Sequence, residues 1–122
     1  ADDFIPIIAP LGVGDDGKTY NINADTAAGA IAASLKSKRL LILTDVKGVI
    51  DSDQNLIKED DEEKIEKMID TCEVSGGMIP KINTCLDSVK DGVDAAVIVD
   101  GRVKHAVLLE LFTDHGAGTL IR

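Results

Sequence analysis

Short apolar runs alternate along this chain with longer stretches whose apolar positions recur at helical spacing. Ile5-Pro6-Ile7-Ile8-Ala9-Pro10-Leu11 reads as a buried strand with proline at its margins. Leu40-Leu41-Ile42-Leu43-Thr44-Asp45 and Ala95-Ala96-Val97-Ile98-Val99-Asp100 read as two more, each with a polar carboxyl end. Residues 23 to about 35 form a helix with Ala24, Ala27, Ala28, Ile31, Ala32 and Leu35 on one face. Residues 61–72 form a charged helix buried through Ile65, Met68 and Ile69. Residues 78–90 form another, with Met78, Ile82, Leu86 and Val89 inside, and residues 105–112 a short one carrying Val107, Leu108 and Leu111. Asp16-Gly17 marks a tight hairpin returning through Thr19 to Ile22. Residues 46–50 are a loop, 51–55 a turn, 56–57 a short strand, and the glycine-punctuated 116–121 a last strand. Buried strands alternating with helices imply an α/β fold with a mainly parallel sheet, whose ligands sit beyond the strands' carboxyl ends. Asp45, Gly48, Asp100 and Gly101 fall at such ends.

The 122 residues suit one domain, without internal repeat or linker. A net charge of −9 argues against a nucleic-acid partner, and 2% aromatics without tryptophan argue against a base-stacking surface. The acidic run at 59–63 reads as the solvated first turn of a helix. No apolar run approaches the roughly 20 residues of a membrane span, and no secretory pattern is visible, so a cytoplasmic protein is expected. Cys72 and Cys85 then read as buried, reduced thiols.

Tyr20-Asn21-Ile22-Asn23-Ala24-Asp25-Thr26 sets short polar side chains at alternating positions on a strand-to-helix junction. Asn21 and Asn23 face the same way on an extended strand end, and Asp25 suits both a helix cap and the helix dipole. The pattern fits an Asx turn with a cap; it also fits a site for a small polar ligand. Ser75-Gly76-Gly77-Met78-Ile79-Pro80-Lys81 opens a helix with bare backbone amides, as anion sites do. Lys81 stands in the first turn, where the dipole disfavours a cation, and Thr84 and Cys85 occupy the places where a compensating acid would stand. A ligand phosphate would relieve that cost; an exposed lysine at a helix start is the plainer account. Thr44-Asp45-Val46-Lys47-Gly48-Val49 is either a nucleotide-contacting loop or an ordinary turn. His105 and His115 are acid/base candidates or surface residues. Side-chain metal ligation finds no HxxxH and no Cys/His cluster.

Taken in order, residues 20–25, 43–49, 76–81 and 105–113 resemble the carboxyl-terminal half of the amino acid kinase family. The NxNAD and GGMxxK elements place the resemblance in the branch that phosphorylates N-acetyl-L-glutamate in arginine synthesis. It implies a three-layer α/β/α sandwich and phosphoryl transfer from MgATP to a side-chain carboxylate. By resemblance Asn21 would hold substrate, Asp25 would orient lysines, and Lys81 would neutralise the transferring group, leaving Asn23 a structural role. Thr44, Asp45, Gly48, Val49, Gly77, Met78 and residues 73–75 would line the nucleotide. His105, Glu110 and Gly116 resemble a feedback site for L-arginine. The family's Lys-x-Gly-Gly loop, second glycine loop and substrate-binding arginine do not occur here. The chain, beginning at Ala1, is therefore expected to be the nucleotide-binding portion without the amino-terminal substrate portion, inactive alone and homo-oligomeric when full-length. Two alternatives stand beside this: another family member such as glutamate 5-kinase, and a stand-alone nucleotide- or arginine-binding module.

Overall fold

The computed structural model describes residues 4–51, 53, 55–60, 62–70, 77–114 and 116–122. Cys72, residues 73–75, Gly76 and His115 lie outside them.

The chain opens with a hairpin in which β1 (Leu11–Val13) pairs antiparallel with β2 (Thr19–Asn21). The carboxylate of Asp16 organises the turn, accepting from the Lys18 amide and the Tyr20 hydroxyl, each at 3.0 Å. The helix α1 (Ala24–Ser34) follows at once, capped by Asn23, whose Oδ1 accepts from the Thr26 amide at 3.1 Å. The two roles expected of Asp25 are thus divided. Asn23 makes the cap, and Asp25 is the acid of the first turn, where the dipole favours it.

The main sheet has four strands in the order β3-β5-β6-β4. β3 (Leu40–Thr44) runs parallel to β5 (Ala96–Asp100), β5 antiparallel to β6 (Gly118–Ile121), and β6 parallel to β4 (Glu59–Asp60). The sheet is therefore mixed but mainly parallel, as an α/β fold requires. β5 is buried at every position, so both of its faces are covered. Ala96 and Ile98 join one core cluster with Ile42, Ile82, Cys85 and Leu86, while Val97 and Val99 alternate to the other face. Each fully buried Ile or Val here contributes about 1.5–3 kcal/mol of transfer free energy. The helix α3 (Met78–Lys90) lies between α1 and β5, and α2 (Glu62–Asp70) packs on α3 through the buried Ile65. The helix α4 (Ala106–Phe112) packs on β5.

Several expectations are corrected. Residues 4–10 form no strand; Ile5 and Ile7 are 90% and 98% exposed. Among the described residues no strand pairs with them, and Pro6 and Pro10 have no amide to donate. Glu59–Asp60 is a strand rather than a helix turn, because its backbone completes the edge of β6: Leu120 N donates to Lys58 O at 2.9 Å. Residues 56–57 make one bridge, Ile50 to Leu56, rather than a strand. Leu35 is the C-cap of α1 and points to solvent. In α4 the buried residues are Ala106 and Glu110, while Leu108 and Leu111 are exposed.

Candidate active site

Topology gathers the functional side chains at one edge. α1 precedes β3 and α3 precedes β5 through short connections, so each helix runs back along the strand that follows it. The two connections meet at the opposite edge, where Asp94 N donates to Ser37 O at 3.2 Å and Leu40 N to Ala95 O at 3.0 Å. The amino termini of α1 and α3 therefore lie beside the carboxyl ends of β3 and β5.

Lys81 Nζ meets Asp25 Oδ2 there at 2.6 Å, with each side chain 25% exposed. This contact, 56 positions apart in sequence, is the acid that Lys81 lacks on its own helix. The cost of a cation in the first turn of α3 is thus met by Asp25, not only by a ligand. A lysine carries three donors, and Asp25 takes one, leaving others for an anion. Cys85, one turn along α3, is fully buried beneath the pair. Burial pushes its thiol up to about 12; the negative charge of Asp25 adds to this and Lys81 opposes it. Gly77 caps α3 without a side-chain bond, and Met78 packs against the core. Asn21 ends β2, exposed, just before α1.

The β3 loop is held from below. Gly48 has φ of +137°, and a Cβ there would lie 2.7 Å from Thr119 Oγ1 and 2.8 Å from Leu56 Cδ1, so only glycine fits. The Thr119 hydroxyl accepts from Val49 N at 2.9 Å and donates to Ile57 O. Val49 is fully buried, backbone included: its amide donates to Thr119 and its carbonyl accepts from Ile57 N at 2.9 Å. Thr44 Oγ1 and Asp45 Oδ1 lie 3.4 Å apart at the strand end, with the Asp45 side chain in solvent.

The neighbouring strand end carries a feature that motif reading missed. Asp100 is gripped bidentately by Arg102, Nε to Oδ1 at 2.9 Å and NH2 to Oδ2 at 2.8 Å, and also accepts from the Arg102 amide at 3.0 Å. The Arg102 guanidinium holds the Asp100 carboxyl down at about 2. Its signal in the sequence was the acid–glycine–arginine turn that ends β5.

A cavity of about 330 Å³ lies elsewhere, lined by Arg39, Lys58, Glu59, Glu110, Thr113 and Gly116 among others. Glu110 is 7% exposed; its Oε2 accepts from Ala117 N at 2.7 Å and its Oε1 lies 3.8 Å from Arg39 NH1. The structure so brings Glu110 and Gly116 together. His105 is the exposed left-handed N-cap of α4 and is not among the described lining residues. Arg39 and Lys58 were not anticipated, since both come from distant parts of the chain.

Helix amino termini, a lysine and a glycine loop gathered at the carboxyl edge of an open sheet define the class: an α/β domain suited to anionic ligands. The chain belongs to the amino acid kinase family, whose model matches residues 1–100. It is 62% identical over 120 residues to the acetylglutamate kinase of Rhodospirillum rubrum, covering 98% of this chain and 39% of that protein. To the acetylglutamate kinase of Rhodospirillum centenum it is 63% identical over 119 residues, with the same coverage of 98% and 39%. The chain thus spans about two fifths of these relatives' length. In fold it is similar to N-acetylglutamate synthase of Neisseria gonorrhoeae, solved with coenzyme A and L-arginine: TM-score 0.85 and 28% identity, over 92% of this chain and 26% of that one. No helix among the described residues is long and apolar enough to cross a membrane.

Proposed function

We propose that residues 1–122 are the nucleotide-binding carboxyl-terminal portion of a kinase that phosphorylates the side-chain carboxylate of N-acetyl-L-glutamate with ATP, in arginine biosynthesis. The identity to acetylglutamate kinases supports the reaction, and the Asp25–Lys81 contact between two helix amino termini is the observation that carries it. The acceptor carboxylate is already ionised and needs no base. Catalysis then rests on positioning and charge. Lys81 neutralises the transferring phosphoryl group and the departing ADP, and Asp25 orients Lys81. Asn21 holds the α-carboxylate or acetamido end of the substrate. Thr44, Asp45, the loop that carries Gly48 and Val49, Gly77 and Met78 line the nucleotide. Mg2+ supplies charge neutralisation and is carried by the nucleotide phosphates; among the described residues no group of three His, Cys, Asp or Glu side chains is placed to hold it.

The rest of the phosphate clamp is assigned to the part of the relatives that this chain does not span, and the enzyme to a homo-oligomer of the cytoplasm. Steady-state assay of the full-length protein with MgATP and an acceptor panel tests the reading. N-acetylglutamate is the expected acceptor; preference for free glutamate would point to a glutamate 5-kinase, and robust turnover by the 122-residue chain alone would overturn the division of the site. Binding of ATP by a reading frame with no kinase partner region would favour the stand-alone module.

The Glu110 cavity supports a second ligand, L-arginine as feedback inhibitor. The buried carboxylate faces Arg39 only at 3.8 Å, which leaves a guanidinium a better bidentate partner than Arg39 now is. Glu110→Ala in the full-length kinase should abolish arginine inhibition, and unchanged inhibition would end this assignment.

A further inference from the structure

Gly29 lies buried in the middle of α1, where a glycine weakens a helix relative to the alanines around it. The reason is its neighbour. A Cβ at Gly29 would come within 2.8 Å of Ser88 Oγ and 2.8 Å of Thr84 Cγ2, both on α3. Moving either atom aside breaks a hydrogen bond. Ser88 Oγ donates to Thr84 O at 2.6 Å, and Thr84 Oγ1 donates to Pro80 O at 3.0 Å, which fixes the position of Cγ2. A methyl group at position 29 therefore either breaks these bonds or parts the two helices, and the β-branched Thr84, unable to withdraw Cγ2 without losing its bond to Pro80 O, favours the second.

What lies one turn away gives this contact its importance. Asp25 precedes Gly29 by one turn on α1, and Lys81 precedes Thr84 and Cys85 by one turn on α3. The 2.6 Å Asp25–Lys81 contact is thus the next layer of the same helix–helix interface, toward the shared amino-terminal edge. Buried Cys85 lies beneath it, and a cavity of about 240 Å³ opens beside Gly29, Thr84 and Ser88 on the outer side of the same interface.

We propose that Gly29 is a positioning residue for phosphoryl transfer: by letting α1 approach α3 so closely, it sets the separation of Asp25 and Lys81. The proposal rests on the kinase reading of that pair. The glycine loop after β3 is anchored separately, on Thr119, so nucleotide affinity is insulated from the change.

The test is kinetic, in the full-length kinase. Gly29→Ala should lower kcat by about 10- to 100-fold, with KM for ATP within about 3-fold. Adding Thr84→Ser and Ser88→Ala removes both opposing atoms while keeping the hydroxyl that bonds Pro80 O, and should restore kcat to within about 3-fold of the Thr84→Ser/Ser88→Ala pair. Wild-type kcat in Gly29→Ala, or no recovery in the folded triple variant, overturns the proposal. Should Gly29→Ala fail to fold, Gly29→Ala/Ser88→Ala, which removes one of the two opposing atoms and leaves Thr84 Cγ2, must give the same split; a wild-type kcat there overturns it equally. A measurement independent of turnover stands alongside. The Asp25–Lys81 coupling, from a cycle of Asp25→Asn and Lys81→Met on urea unfolding, should fall by about half or more in the Gly29→Ala background. Unchanged coupling rejects the role of Gly29. Wild-type turnover by Lys81→Met rejects the kinase reading instead, and the coupling still judges Gly29.

Discussion

Two carboxylate–cation pairs stand at the carboxyl edge of the sheet, and they differ in reach and in closure. Asp100 and Arg102 are two positions apart, joined by two side-chain bonds and one backbone bond. Asp25 and Lys81 are 56 positions apart, joined by one contact between two helices. The first pair satisfies its acid completely and holds a turn. The second gives its acid one side-chain bond and ties its geometry to the helix packing behind it. A pair closed within one turn reads as scaffold, and one that spans two helices beside their amino termini is the candidate for function.

The largest test of that distinction is Lys81→Met in the full-length kinase, which should lower kcat by about 10²–10³-fold while circular dichroism stays native. Asp25→Asn keeps the shape but loses the charge that orients Lys81. It should lower kcat by about 10- to 100-fold with a smaller change in KM for ATP. Asp100→Asn should leave kcat within about 3-fold of wild type and act on stability instead. The folded Asp100 carboxyl, at about 2, lies below its unfolded value near 3.9. Its contribution is therefore present above about pH 4 and lost as pH falls toward 2. Urea midpoints of wild type and Asp100→Asn should differ at pH 7 and converge as pH falls; parallel curves would show that the clamp is not stabilising. The smallest effect concerns Cys85, whose buried thiol stays protonated at pH 8. Iodoacetamide should leave it unmodified in the native protein and label it in urea, as read by mass spectrometry of its peptide.

The elements most legible in the sequence are those whose partners matter least to their identity. α3 runs from Met78 to Lys90 as its periodicity predicts, and β3 and β5 differ from expectation by single terminal residues. Their apolar runs are buried in either direction of pairing, so local pattern suffices. β4 was hidden because Glu59 and Asp60 are ordered by backbone pairing with Leu120 and Ile121, which side-chain pattern does not encode. Residues 4–10 mislead in the reverse sense: Ile5, Ile7 and Ile8 have strand character, but burial also needs a neighbour. α4 inverts its own apolarity by burying Glu110 and exposing Leu108, Leu109 and Phe112, because the Ala117 amide bonds the acid and Arg39 stands near it. At the candidate site, the residues were legible as motifs, and their grouping only through the family resemblance, not from local pattern. The unfavourable placement of Lys81 was visible locally, whereas its remedy, Asp25, emerges only when α1 and α3 pack.

Thr119 gives the loop after β3 an unusual lifetime. Its hydroxyl is shared between Val49 N and Ile57 O, inside a fully buried setting on β6. Loop amides generally exchange with solvent through small local fluctuations. The Val49 amide is held more firmly, because moving Val49 away breaks its bond to the buried Thr119 hydroxyl and the bond from Ile57 N to its carbonyl together. Its exchange should follow the slow opening of the sheet itself, so deuterium uptake at this loop would report the unfolding of the core.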